Sequence, residues 1–139
     1  MSALSYTAEA LAEGDGRNGR VRTEDGLVEL ALGIPSELGG AGGEVSNPEM
    51  LFAAGYAGCF LSALGSVARV RKVKVPDATV RALVTIAGGA EGFGLAVELR
   101  ATLPGIEREV GEDLLAAAHA KCPYSKAVAG NIPVTLTLA

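Results

Sequence analysis

The sequence predicts an α+β domain in which antiparallel sheets accompany one long, central buried helix. Three observations predict it: short runs of alternating apolar residues, a stretch without charged residues over 50–68, and an amphipathic stretch over 107–121. Alternation of period two is typical of half-buried strands, whereas a long apolar stretch is typical of a helix buried on all sides. The resulting order is βββ-α-ββ-α-β, and the length of the chain, residues 1–139, is that of a single domain.

The N-terminal third is predicted to be a small antiparallel meander. Residues 6–12 alternate weakly and residues 28–32 alternate clearly, which indicates strands. Between them lie the glycine-containing segments 14–19 and 24–26, whose Asn-Gly and Asp-Gly pairs suit tight turns because these residues tolerate positive φ. A short helical turn is expected at residues 36–38.

The long helix is predicted to begin just after Asn47. Asn47 or Ser46 can cap it, Pro48 suits its first turn, and the early Glu49 favours the positive end of the helix dipole. The helix then runs through the uncharged stretch to about Arg71, where basic residues suit the negative end.

The C-terminal half is predicted to contain three more strands and the amphipathic helix. Residues 79–86 and 93–103 are expected to form two strands joined by a glycine-rich turn, and residues 132–138 alternate as a last strand. Because Pro123 disfavours helical geometry at Cys122, the chain is expected to bend there after the second helix.

Composition excludes some classes of protein. A net charge of −4 argues against the basic face that nucleic-acid binders normally show. Apolar residues make up 49% of the chain and the mean hydropathy is +0.32, with only three phenylalanines and three tyrosines. A small soluble domain this apolar must cover its surplus, and a second copy of the chain is one candidate cover.

The uncharged stretch over 50–68 is close to the length that spans a membrane. Much of it is alanine, glycine and serine, so we interpret it as a helix buried within protein and expect no membrane association. Residues 1–14 lack the basic and apolar regions of a signal peptide, and we expect a cytoplasmic protein.

Metal and nucleotide sites find little support. His119, Cys59 and Cys122 are the only soft ligands, too few for a closed four-ligand zinc site without carboxylates. The glycine-rich segment 14–19 lies in a predicted hairpin instead of opening a helix, unlike a nucleotide-binding fingerprint. We therefore expect no bound metal and no cofactor.

The two cysteines, Cys59 and Cys122, are the candidates for chemistry. Without a secretory signal, a redox or catalytic pair gains weight over a structural disulfide. A cysteine inside a buried helix is often only a small hydrophobic residue. A reactive thiol needs a nearby cation to hold its thiolate form, and Arg17, Arg20 and Arg22 are candidates for that cation.

Short motifs spread over nearly the whole chain share one resemblance. They are Gly16-Arg17-Asn18-Gly19-Arg20, Glu37-Leu38-Gly39-Gly40, Asn47-Pro48-Glu49-Met50-Leu51-Phe52-Ala53-Ala54-Gly55-Tyr56, Cys59-Phe60, Gly92-Phe93-Gly94-Leu95, Leu103-Pro104-Gly105, Ala117-Ala118-His119, Cys122-Pro123-Tyr124-Ser125 and Gly130-Asn131-Ile132. Together they resemble the organic hydroperoxide resistance proteins, which belong to the superfamily of the osmotically inducible protein C. Tyr124 after Cys-Pro favours the hydroperoxide-resistance branch.

The resemblance implies a thiol-dependent peroxidase that acts on organic hydroperoxides, folded as an intertwined homodimer. It implies that Cys59 is the peroxidatic thiol, Cys122 the resolving thiol, Arg17 the activating cation and Glu49 the partner of that cation. Arginine keeps its charge at all relevant pH values, and a carboxylate can orient it through a bidentate pair. The thiolate would become a sulfenic acid and then a disulfide with the second thiol.

The expected substrates are alkyl or fatty-acid hydroperoxides. Leu51, Phe52, Phe60 and Ile34 are the candidate apolar lining that would favour them over hydrogen peroxide. A dithiol must reduce the disulfide, and the resemblance implies a lipoyl-bearing protein as its source.

Helix geometry adds a hypothesis about assembly. Glu49 and Cys59 are ten residues apart, hence about 15 Å apart along one straight helix. One Arg17 side chain could hardly touch both within a chain. Two antiparallel helices crossing at the small residues 53–55 would set Glu49 of one chain beside Cys59 of the other, which predicts a composite site in a homodimer.

Plainer interpretations stay open for each residue. Glu49 can complete a capping box with Ser46, Arg17 can be a solvated turn residue with Arg20 as its nearest substitute, and Cys122 can be an inert core thiol. The corresponding alternatives for the whole protein are a small-ligand-binding or stress-related protein with structural cysteines, and a disulfide-stabilised interaction protein.

Overall fold

The structure, a computed structural model, describes residues 3–139. Its elements are β1 (Ala10–Glu13), β2 (Arg20–Thr23), β3 (Glu29–Ala31), α1 (Pro48–Val70), β4 (Thr79–Gly89), β5 (Gly92–Thr102), α2 (Arg108–Lys121), α3 (Pro123–Val128) and β6 (Val134–Leu138). The predicted α+β class and element order are confirmed, with one short helix added. The chain divides into two compact units, here called the N-terminal unit (up to Leu51) and the C-terminal unit (Phe52–Ala139). A single domain over residues 1–139 stays a prediction.

The N-terminal unit contains the predicted meander, an antiparallel sheet in the order β1-β2-β3. Its first strand begins at Ala10 and not at residue 6, because Ala10 pairs with Thr23, where β2 ends. The helical turn at Ser36–Leu38 is confirmed as a 3-10 turn, and Gly39 ends it in the left-handed conformation (φ 85°).

α1 begins and ends close to the predicted positions. The side-chain oxygen of Asn47 accepts the backbone N–H of Met50 at 2.8 Å, so Asn47 and not Ser46 provides the cap. The helix ends at Val70, and Lys72 adopts the left-handed conformation (φ 58°) shortly after it.

The sheet of the C-terminal unit has the order β4-β5-β6. β4 and β5 form an antiparallel hairpin that is longer than predicted, closed by the pair Gly89 and Gly92. β6 pairs with β5 in parallel, which corrects the expectation of a purely antiparallel sheet. A parallel neighbour requires a crossover connection, and α2 and α3 provide it.

The bend at Cys122 is confirmed, since this residue has an extended ψ of 124° between two helices. The helix that follows, α3, was not predicted, although Pro123 at its first position is a common start. The core of the unit lies between α1, β5 and α2. Its largest fully buried apolar side chains are those of Tyr56, Phe60, Leu64, Leu99 and Leu114.

α1 is long and apolar enough to cross a membrane by length and composition alone, a criterion that core helices of soluble proteins also meet. Only 28% of its most apolar stretch is buried within the chain. One face of the helix, formed by Met50, Ala54, Gly58 and Leu61, is exposed. We call these four residues the open face of α1.

Candidate active site

The structure places the two cysteines in contact. The Sγ atoms of Cys59 and Cys122 lie 3.4 Å apart, and both thiols are free. Cys59 projects from α1 and is partly exposed, whereas Cys122 is fully buried at the bend between α2 and α3. A small movement of either side chain would bring the sulfurs to bonding distance, about 2.05 Å.

The backbone on both sides of Cys122 holds this bend. Its N–H donates to the carbonyl of Ala118 at 2.8 Å, and its own carbonyl accepts the N–H of Lys126 at 3.0 Å. Cys122 therefore closes α2 and opens α3 at once. The arrangement directs the Cys122 thiol towards Cys59 on α1, and both backbone polar groups of Cys122 are hydrogen-bonded.

Burial raises the pKa of the Cys59 thiol. The backbone N–H of Tyr124 lowers that pKa, while the neighbouring Cys122 thiol raises it further. These groups of the C-terminal unit together favour the neutral thiol. A thiolate at Cys59 consequently needs a positive charge from another source.

Three aromatic rings, carried by the segments that hold the two cysteines, pack against one another as an aromatic cluster. The ring centroids of Phe52 and Tyr56 are 5.8 Å apart, those of Tyr56 and Tyr124 are 5.8 Å apart, and those of Phe52 and Tyr124 are 6.3 Å apart. Gly55 makes room for this packing, since a Cβ at that position would lie 3.1 Å from the hydroxyl oxygen of Tyr124. The cluster forms an apolar wall next to Cys59.

Sequence reasoning missed a buried polar network next to the aromatic cluster. The Ser125 Oγ lies 2.6 Å from the Tyr56 hydroxyl and 2.8 Å from Nδ1 of His119. The only signal for it was that His119 and Ser125 stand three residues before and three residues after Cys122.

Arg17 and Glu49 form a bidentate ion pair in the N-terminal unit. The Nη1 and Nη2 groups of Arg17 donate to the two carboxylate oxygens of Glu49 at 2.7 and 3.0 Å. The guanidinium holds the pKa of the Glu49 carboxyl below its usual range, and the carboxylate raises the pKa of Arg17. Because Asn47 caps α1, the interpretation of Glu49 as a partner of Ser46 in a capping box is wrong.

Arg17 stays available to a further anion. Its side chain is 41% exposed, compared with 14% for Glu49. The alternative cation, Arg20, pairs with Glu29 on β3 at 3.2 Å. A 3-10 turn at Gly16–Asn18 carries Arg17, so this side chain is presented by a loop and not by a strand.

The four candidate lining residues differ in accessibility. Leu51 and Ile34 of the N-terminal unit are partly buried. Phe52 is partly buried and packs in the aromatic cluster. Phe60 is fully buried, and its ring belongs to the core of the C-terminal unit and not to an accessible surface. Within residues 3–139 no group of three or more His, Cys, Asp or Glu side chains is placed to hold a metal ion.

Comparison with known proteins gives a consistent result. Residues 41–137 match the family model described as OsmC-like protein. The chain is 49% identical over 135 residues to the organic hydroperoxide resistance protein of Xanthomonas axonopodis pv. citri, covering 96% of this chain and 94% of that protein.

Solved structures agree over nearly the full length. The crystal structure of an organic hydroperoxide resistance protein from Legionella pneumophila superposes with a TM-score of 0.90 at 47% identity, covering 99% of both chains. That of an organic hydroperoxide resistance protein from Elizabethkingia anophelis gives a TM-score of 0.90 at 48% identity, covering 100% of this chain and 99% of the other.

Proposed function

Because the chain belongs to the OsmC-like family, and within it to the organic hydroperoxide resistance proteins, we propose that it is a thiol peroxidase that reduces organic hydroperoxides to alcohols. The observation that supports this most is the contact between a partly exposed and a buried free thiol, Cys59 and Cys122, at 3.4 Å. The accessible thiol can react with a substrate. The buried thiol beside it can react only with the sulfenic acid that forms on the first.

The cycle has two steps in the protein. The Cys59 thiolate attacks the terminal peroxide oxygen, the O–O bond breaks, Cys59 becomes a sulfenic acid that keeps the peroxide proton, and the alkoxide takes up a proton from solvent and leaves as the alcohol. Cys122 then attacks the Cys59 sulfur, and the hydroxyl group departs as water with the proton of the Cys122 thiol. The resulting disulfide takes two electrons and two protons from a dithiol, which we expect on a lipoyl-bearing protein in the cytoplasm.

We assign the cation of the first step to Arg17. Its guanidinium offsets the burial that raises the pKa of Cys59, and it stabilises the negative charge that develops on the peroxide oxygen. Glu49 fixes the plane of the guanidinium through its two hydrogen bonds.

The cation and the thiol are assigned to different chains of a homodimer. Glu49 and Cys59 stand ten residues apart on the continuous helix α1, hence about 15 Å apart along its axis. Two copies of α1 that cross antiparallel near residue 54 would place Glu49 and Arg17 of one chain beside Cys59 of its partner. The open face of α1 suits a second copy of itself, since it is apolar, and a Cβ added at Gly58 would meet nothing within 4 Å in the chain.

The substrates are assigned by the apolar surroundings of the two halves. Leu51 and Ile34 belong to the same unit as the ion pair, and Phe52 belongs to the same unit as the thiols. These side chains favour an alkyl or fatty-acyl group on the peroxide over the small, polar hydrogen peroxide.

The peroxidase is tested with pre-reduced protein and cumene hydroperoxide, following free thiols and peroxide over time. We expect no peroxide loss with Cys59→Ser. Without a reductant the wild type should consume about one equivalent and lose both thiols, whereas Cys122→Ser should consume about one equivalent, lose one thiol and then stall or over-oxidise, because its sulfenic acid has no resolving thiol. Full activity of Cys59→Ser would contradict the mechanism and favour a binding protein with structural cysteines.

The composite site is tested by mixing two inactive variants, Arg17→Met and Cys59→Ser, and allowing subunits to exchange. A mixed dimer pairs the intact Arg17 of one chain with the intact Cys59 of the other and regains one site. An equal mixture should recover about one quarter of the wild-type rate, since half of the dimers are mixed and each carries one complete site. A site built within one chain would give no recovery.

A further inference from the structure

Ser125 joins three helices through one hydroxyl group. Its Oγ contacts the hydroxyl of Tyr56 on α1 at 2.6 Å and Nδ1 of His119 on α2 at 2.8 Å, while Ser125 itself lies on α3. Between residues 3 and 139, two polar or charged residues are buried, Asn47 and Ser125. Asn47 caps α1. Burying a serine hydroxyl is unfavourable unless it is hydrogen-bonded. The two hydrogen bonds offset that cost and fix the positions of the helices they join.

The spacing of the network follows the thiol pair. Tyr56 is three residues before Cys59, and Ser125 is three residues after Cys122. Tyr56 and Cys59 are three apart on α1 and lie on nearly the same face of that helix, and Cys122 directly precedes the first turn of α3, which carries Ser125. The Tyr56–Ser125 hydrogen bond therefore runs beside the Cys59–Cys122 contact and joins the same two segments.

The second hydrogen bond closes over the bend. His119 is three residues before Cys122 and Ser125 three residues after it, so their contact links α2 to α3 across the residue where helical geometry is interrupted. Either direction of donation satisfies the network: Tyr56 donates to Ser125 and Ser125 to His119, or the reverse.

We propose that Tyr56, Ser125 and His119 are positioning residues that hold Cys122 against Cys59 and thereby set the rate of disulfide formation. The proposal rests on the proposed function for its biological meaning, because only the resolving step requires this register. Cys122 sits at a break between two helices, and two hydrogen bonds from one hydroxyl fix that break to α1 and α2.

Loss of the network has a specific chemical consequence. When the bend loosens, the Cys122 thiol spends less time beside the Cys59 sulfenic acid, so the sulfenic acid persists. A second hydroperoxide then transfers its oxygen to that sulfenic acid, giving a sulfinic acid and a second alcohol. Slow resolution should therefore appear as over-oxidation at high peroxide concentration.

The test compares two rates in each variant: peroxide consumption in the first turnover and disulfide formation after it, measured by rapid quenching, thiol alkylation and mass spectrometry. Ser125→Ala removes both hydrogen bonds, and Tyr56→Phe removes one while keeping the ring. Relative to peroxide consumption, disulfide formation should fall about tenfold in Ser125→Ala and about threefold in Tyr56→Phe. Tyr56→Phe decides the matter if Ser125→Ala does not fold.

His119 supplies a conservative rescue. The side-chain amide of asparagine can place a hydrogen-bonding atom near the position of Nδ1, whereas leucine cannot. We expect His119→Asn to keep the wild-type ratio of the two rates and His119→Leu to lower it. Thr137→Val is the matched control, since it removes a hydroxyl hydrogen bond to Glu98 in the same unit, on β6.

Two outcomes would overturn the proposal. One is a wild-type rate of disulfide formation in both Ser125→Ala and Tyr56→Phe. The other is an equal fall of both rates, or the same loss in Thr137→Val, which would indicate general destabilisation. If the wild-type protein consumes no peroxide, the proposed function fails, and oxidation by diamide, which takes up the two electrons and two protons of the thiol pair, still measures the network.

Discussion

The Arg17–Glu49 pair and the Cys59–Cys122 pair are built in opposite ways. The first is a partly exposed ion pair in which each group favours the charged form of the other. The second is a partly buried thiol pair in which burial favours the neutral form of Cys59. In the proposed peroxidase, the reacting thiol needs both accessibility and a cation, and the two pairs are proposed to provide one each.

Under the proposed mechanism, neither pair is an active site by itself. The cation that holds Glu49 is oriented but has no thiol beside it in its unit, and none of the groups that shift the pKa of Cys59 is a positive side chain. Preorganised charge and low dielectric together are what make electrostatic catalysis effective. The variants below test which half limits the reaction.

The largest expected effect is that of Arg17→Met. We expect the rate constant for cumene hydroperoxide reduction to fall about 100-fold, because the variant removes the fixed charge that stabilises the thiolate and the transition state. The same variant should raise the pH at which Cys59 reacts with iodoacetamide. Arg20→Met is the control, since it removes a nearby arginine of the same unit that pairs with Glu29 instead of Glu49. An Arg17→Met rate within about twofold of wild type would remove the cation from the mechanism.

Glu49→Gln should have a smaller effect, about tenfold on the same rate constant, or about 1.4 kcal/mol. The charge of Arg17 remains, but the fork of two charge-assisted hydrogen bonds that orients it is lost. Stopped-flow kinetics measure the change, and Glu29→Gln is the matched control for an exposed carboxylate paired with arginine. A loss as large as that of Arg17→Met would assign the carboxylate a chemical role of its own.

Much of the fold was predictable from local sequence. The start of α1, its end within a few residues and the bend at Cys122 follow from capping and proline chemistry, which act over three or four residues. α3 was missed because it is only six residues long, too short for a periodic pattern to show. The parallel pairing of β6 was missed because the direction of a strand depends on the connection and not on the strand's own residues.

The site was predictable to a different extent. The resemblance named the residues of both pairs, and the structure places the members of each pair in contact within its own unit, while their chemical roles stay predictions. The direction of the Cys59 pKa shift was not predictable, since it depends on how much of the surrounding core covers the sulfur. Ser125 was not singled out because a serine in a motif carries no chemical signal until its partners on other helices are known.

A second chain that brings an Arg17–Glu49 pair to a Cys59–Cys122 pair would cover the open face of α1. In the chain, a Cβ at Gly58 or Gly65 of α1 meets nothing within 4 Å. Each alanine should then stabilise the helix by about 1 kcal/mol, a rise of a few degrees in Tm. If a partner helix covers the open face, Gly65→Ala raises Tm while Gly58→Ala lowers it and weakens the dimer. Thermal denaturation and analytical ultracentrifugation measure both, and equal rises would contradict the crossing near residue 54.

The smallest expected effect is on the pH dependence of the free energy of unfolding, to which only the Arg17–Glu49 pair should contribute. Because Arg17 holds the pKa of Glu49 below its usual range, the pair stabilises the folded state above the ordinary carboxyl pKa, and this contribution disappears as the pH falls through the lowered value. Arg17 is substantially exposed, so the contribution at neutral pH is about 1 kcal/mol or less and decreases with salt. Chemical denaturation of wild type and Glu49→Gln should therefore differ by about that amount at pH 7 and converge in acid. None of the groups that shift the pKa of Cys59 is a carboxylate, so Cys59→Ser should retain the full acid dependence of the wild type. A difference between wild type and Glu49→Gln that persists unchanged into acid would show that the glutamate acts through packing and not through its charge.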